Sequence, residues 1–127
     1  MKNKDLTHNI IACFYEVFSD LGYGFLESVY QNALDIELRN CGLNFKRETQ
    51  LQVLYQEQPV GFFRADFLIE NKVIVEVKAG ANFHESAIYQ TLNYLRMAKL
   101  ETGLVVHFGP QPIIKRVIND VWVRIYS

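Results

Sequence analysis

The chain reads as one α/β domain over residues 1–127: a mixed central sheet flanked by helices, in the approximate order α-α-β-β-β-β-α-β with a C-terminal extension. Three observations lead there. Apolar residues recur at helical spacing in three stretches, about 5–21, 26–41 and 83–100. Between the second and third, alternating and β-branched runs broken by turn residues read as consecutive strands. A buried-looking run at 103–108, LVVHF at its heart, then follows the third helix, so it pairs parallel to an earlier strand through a crossover.

The first helix, Asp5 to Leu21, carries Ile10, Phe14, Val17, Phe18 and Leu21 on one face, with Asp5 or Thr7 as its cap. Gly22 and Gly24 break it. The second helix, Leu26 to Cys41, presents Leu26, Tyr30, Ala33, Leu34, Leu38 and Cys41 and is closed by Gly42. Phe45, Leu51, Val53 and Tyr55 alternate with polar residues over 43–55, and 56–59 is a turn. Val60–Ile69 and Lys72–Lys78 make a hairpin. Asn82 and Glu85 have capping-box spacing ahead of the third helix, whose core stripe is Ile88, Leu92 and Leu95. After Gly109-Pro110, Ile113–Ile118 and Val121–Tyr126 are short apolar segments; Trp122 is core or an interface residue.

Length and composition bound the function. At 127 residues, half of them apolar, the chain can build one sizeable core. Thirteen Lys and Arg against fourteen Asp and Glu leave a net charge of −1, which argues against strong duplex binding by charge alone but allows a local basic groove. Cys13 and Cys41 form no metal or disulfide spacing and read as reduced core thiols of a cytoplasmic protein. No apolar run reaches the length of a membrane span, so no membrane partner is expected.

The chemistry concentrates in the hairpin. Asp66 lies in one strand, and Glu76-Val77-Lys78 ends the next. Charges inside β-branched strands need a partner, a metal or a shifted pKa. Two carboxylates can hold a hard divalent cation through oxygen, and such a cation activates water and neutralises charge on phosphorus. The ammonium of Lys78 can position the attacking water or offset developing negative charge. Register makes a condition. A two-residue turn at Glu70-Asn71 pairs Ile69 with Lys72 and points Asp66 away from Glu76. A three-residue loop, Glu70-Asn71-Lys72, pairs Ile69 with Val73 and sets Asp66 opposite Glu76. The metal site requires the odd loop.

Asp66 followed ten residues later by Glu76-x-Lys78 resembles the core of the PD-(D/E)xK nuclease superfamily. Gly24-Phe25-Leu26-Glu27-Ser28-Val29-Tyr30 is similar to the GxxExxY signature of a bacterial family within it, and Gln90 with Tyr94 falls where the superfamily often has a QxxxY helix. Ala65 stands where the superfamily's name has proline, at no cost in metal ligands. The likeness runs from about Leu21 to Gly109.

The resemblance implies a metal-dependent nuclease acting on nucleic acid. Asp66, Glu76 and the backbone carbonyl of Val77 would hold Mg²⁺ or Mn²⁺; Lys78 would orient water. Glu27 would be a third acid, ligating a second metal or holding Lys78, against the plain alternative of an acid favoured by the helix dipole. Gln90 would assist. Arg64, taken to share the face of Asp66 by strand parity, is a phosphate clamp or an ion-pair partner. Tyr30 and Tyr94 would contribute hydroxyls to the substrate site or lie in the core. Lys46 and Arg47 are phosphate contacts or solvated. His84 stands outside this set, and His8 and His107 have no usable spacing. The contrasting reading is a catalytically silent nuclease-like module that binds nucleic acid or protein. A homodimer or larger complex would supply the recognition surface that so short a chain has no room for.

Overall fold

Periodicity of 3.6 and alternation of 2 become eight elements in a computed structural model, which describes residues 3–120. They run α1 (Lys4–Leu21), α2 (Glu27–Asn40), β1 (Phe45–Tyr55), β2 (Gln58–Ile69), β3 (Val73–Ala79), α3 (Ser86–Ala98), β4 (Thr102–Phe108) and β5 (Pro112–Ile118). The five strands form one mixed sheet in the order β1-β2-β3-β4-β5. Only β3 and β4 are parallel, Val73 beside Thr102 through Ala79 beside Phe108, with α3 as the crossover between them. The mixed sheet flanked by helices is as expected. Three strands rather than four precede α3. Val121–Tyr126 and Trp122 lie outside the described residues. Among the described residues no helix is long and apolar enough to cross a membrane.

Two cores sandwich the sheet. On one face α1 and α2 bring Ile10, Phe14, Tyr30 and Leu34 against Phe67, Val75, Val77, Leu104 and Phe108. On the other, α3 brings Ala87 and Leu95 against Ala65, Ile74, Val105 and Val117. Gly103 lets α3 lie close: a Cβ there would stand 2.9 Å from Thr91 Cγ2. Several end-of-helix expectations fail. The α1 N-cap is Asn3, whose side chain donates to Thr102 Oγ1 and not to the helix, and Thr7 is buried and donates to Lys4 O. The Asn82–Glu85 box does not form, since Glu85 is itself the N-cap and carbonyls of His84 and Glu85 close the first turn. Cys41 sits exposed past the end of α2, with its Sγ 3.3 Å from that of buried Cys13.

The hairpins decide where the site falls. Gln56 and Glu57, both at positive φ, turn β1 into β2. Glu70 and Asn71, also at positive φ, make the next turn, closed by Lys72 N–H on the Ile69 carbonyl. Lys72 is the odd third residue, and Ile69 pairs with Val73. The expected odd loop is the one observed, and the ladder it sets stops one pair short of Asp66 and Glu76.

Candidate metal and phosphodiester site

The β2–β3 ladder runs for three pairs, ending at Phe67 opposite Val75. One step further on, the Asp66 carboxylate accepts the Val77 backbone N–H at 2.7 Å. A strand N–H points along the sheet, so the carboxylate stands in the gap between the strands, in the place of a ladder carbonyl. The change reaches β1. Arg47 pairs with Phe67 and Thr49 with Ala65, but Glu48 and Asp66 between them do not pair, and Glu48 has a φ of 51°. The buried face of β2 inverts at this level. Phe67 and Ile69 pack under α1 and α2, whereas Ala65 and Phe63 turn to α3, Phe63 stacking on Tyr94 at 3.9 Å.

Glu76 follows Ile74 on the α3 face and is 4% exposed. Burial first, then the charge of Asp66, push its carboxyl from 4.5 up to about 9, with Lys78 pulling weakly the other way. Its Oε1 is buried without a hydrogen-bond partner. Two carboxylates side by side, one fixed by a peptide N–H and one with an orphaned oxygen, lack positive charge between them. The donors are hard oxygens, and among the described residues no group of three or more His, Cys, Asp or Glu closes a metal site alone. That set fits a cation which keeps several waters and takes one or two carboxylates, as Mg²⁺ does. Val77 is buried, and its peptide is held beside the two acids through Asp66.

Lys78, next on the same face, opens into a cavity of about 400 Å³ with Glu27, Gln90, His84 and His107 on its walls. Glu27 is the first residue of α2 and comes round the end of the sheet to it. Burial raises the Glu27 carboxyl above its ordinary value, while Lys78 and the Ala79 backbone favour its charged form and Asp66 opposes it. Gln90 and Tyr94 lie one turn apart on α3; burial, then the charges of Glu76 and Asp66, raise the Tyr94 phenol, and the Gln90 side chain opposes them. Glu27, Asp66, Glu76, Lys78, Gln90 and Tyr94, far apart in sequence, thus meet at one end of β3.

Others do not join them. Tyr30 is wholly buried, its ring 4.0 Å from that of Phe108 and its hydroxyl spent on Gly22 O and Phe25 N–H, so it braces the α1–α2 loop and does not face the cavity. Arg64 is exposed, and because the face inverts at Asp66, parity no longer puts the two side chains together. Arg47 ties β1 to α2 through Asp35 and Asn32 and lies over the Phe67 ring. His107, unplaced by spacing, is 2% exposed and pairs in register with Lys78. One ring nitrogen lies 2.9 Å from Gly80 O; the other is buried and unpartnered. Gly109 leaves it room, since a Cβ there would come 3.0 Å from the ring. Only the parallel register of β3 and β4 brings it here.

A family model described as the PD-(D/E)XK nuclease superfamily matches residues 4–117. The chain belongs to that superfamily. Among solved structures it is similar to one titled "Crystal structure of SSO0001", at 16% identity and a TM-score of 0.57, over 98% of this chain and 64% of that one. At such identity the likeness concerns the fold, and the chain spans under two thirds of that protein's length. No curated protein matches. β2 carries Ala65 and Asp66, and β3 carries Glu76 and Lys78.

Proposed function

We propose that this nuclease-superfamily domain is a metal-dependent phosphodiesterase that cleaves nucleic acid in the cytoplasm, and that it is of the bacterial GxxExxY kind. The observation that carries the reading is the pair Asp66 and Glu76: two adjacent carboxylates where the ladder opens, one with a buried oxygen left unpartnered. Asp66, Glu76 and the Val77 carbonyl would hold Mg²⁺ or Mn²⁺. Such a cation supplies an activated water and neutralises charge on the phosphorus. Lys78 donates from Nζ to orient the attacking water and offsets the charge that develops on the phosphoryl oxygens. Glu27 steadies the Lys78 ammonium from across the cavity. Gln90, on the cavity wall, presents its amide to water or phosphate.

The test is Mn²⁺ calorimetry on the wild type and on the Asp66→Ala/Glu76→Ala double variant, with cleavage of single- and double-stranded oligonucleotides in the same buffer. Binding lost in the double variant, together with metal-dependent cleavage, is expected. Absence of binding at millimolar metal would overturn the catalytic reading and leave a nuclease-like fold used as a binding module.

A further inference from the structure

We infer that the α1–α2 loop is a stacking platform for an unpaired nucleobase, and that the substrate class is therefore nucleic acid carrying single-stranded nucleotides beside the scissile phosphodiester. The inference rests on the nuclease reading for its location and on a separate set of residues for its content.

Within four residues the loop exposes three large apolar side chains: Tyr23 and Phe25 are 47% and 48% exposed, and Leu26 is 76%. Val29, one turn into α2, is partly bare as well. Solvent-facing aromatics this dense mark a binding surface. The loop is also braced. The Tyr30 hydroxyl donates to Gly22 O at 2.5 Å and accepts the Phe25 N–H at 3.2 Å, and the Phe25 ring meets the Tyr30 ring edge-on. A side chain held this way can receive a flat ligand without first paying to be ordered.

Position ties the platform to the chemistry. Glu27, which lines the cavity beside Lys78, is two residues from Phe25, within about 7.6 Å between Cα atoms. Charge then selects the ligand. The cavity walls carry one Lys and no Arg, facing Glu27, and Asp66 and Glu76 stand behind them. The chain as a whole is at −1. Such a mouth is poor at gripping a duplex through its phosphates, since phosphate contacts by Lys and Arg supply the non-specific affinity. Stacking is indifferent to that deficit and needs only an exposed π-face, which a paired and stacked base does not offer. An aromatic platform beside a cation-poor mouth suits a single strand.

The experiment measures Kd by fluorescence anisotropy in Ca²⁺ buffer, for a single-stranded oligonucleotide carrying 2-aminopurine and for its duplex, while Mn²⁺-dependent cleavage of the same molecules is followed in parallel. The wild type is expected to bind the single strand at least tenfold more tightly than the duplex and to change the 2-aminopurine emission. Phe25→Ala should weaken single-strand binding about tenfold and Tyr23→Ala less, while Phe25→Trp restores it, all with unchanged melting temperatures. Equal affinity of wild type and Phe25→Ala for the single strand, preference for the duplex, or no binding of either would overturn the platform. So would a dimer on size exclusion that Phe25→Ala dissolves while strand binding stays as it was. Cleavage that persists without dependence on Phe25 sinks the platform alone; Phe25-dependent binding without cleavage in any metal sinks the nuclease reading alone.

Discussion

Under α1 and α2 the sheet is apolar throughout: Phe67, Ile69, Val73, Val75, Val77, Leu104, Val106 and Phe108 are all fully buried. Under α3 it begins the same way, with Ile74 and Val105, and then gives way to Glu76 and Lys78 at the end of β3. One strand serves both faces. Its odd residues fix it in the core, which is what lets its even residues hold charges in a place where charge is costly. The difference teaches that stability and chemistry are separated here by side-chain parity rather than by distance along the chain.

The largest effect should come from the apolar face. Phe108 stacks on Tyr30 and meets Phe14 edge-on, and Phe108→Ala should cost about 3–5 kcal/mol in urea unfolding. On the other face the sign should reverse. Below its ordinary value of 4.5 the Glu76 carboxyl is protonated in both states and has no effect. Between there and about 9 unfolding releases its proton, so stability of the metal-free protein falls as pH rises and levels off above that. Glu76→Gln should remove this slope and stabilise the protein at pH 8, on the order of 3 kcal/mol. A variant less stable than wild type at pH 8 would mean that Glu76 is a structural ion-pair partner. Mn²⁺ at a hundredfold excess over its Kd should stabilise the wild type by about 2.7 kcal/mol at pH 7.5 and leave Glu76→Gln nearly unmoved, as thermal melts would register.

How much of this was legible follows the same division. Helices, strands and the β3–β4 crossover were readable because apolar period is a local signal. The odd loop at 70–72 was readable because only one parity brings Asp66 to Glu76. The inversion at Glu48 and Asp66 was not, since it depends on a non-glycine residue at positive φ in mid-strand, which no composition announces. Strand parity alone therefore puts Arg64 on the wrong side. Tyr30 is hidden for a different reason: helical spacing puts it beside Glu27, but which way its hydroxyl points depends on the loop before it. Spacing misses His107 because its neighbour Lys78 lies across a parallel register rather than along the chain.

The smallest predicted effect bears on how the two regions are joined. Tyr30 belongs to the apolar face through its ring, yet its hydroxyl shapes the loop that enters the site through Glu27. Tyr30→Phe keeps the stack on Phe108 and deletes only the bridge between Gly22 O and Phe25 N–H. Both groups sit in a loop with access to water, so the loss is a net hydrogen bond or two and should cost about 1 kcal/mol of global stability. The local consequence should be larger in proportion. Amide exchange at Phe25 should speed up through loop opening, while amides in β3 and β4, governed by global unfolding, change only by the stability difference. If the Phe25 amide exchanges no faster than those of β3, relative to wild type, the hydroxyl is not what holds the loop, and the two faces are joined by the helix backbone alone.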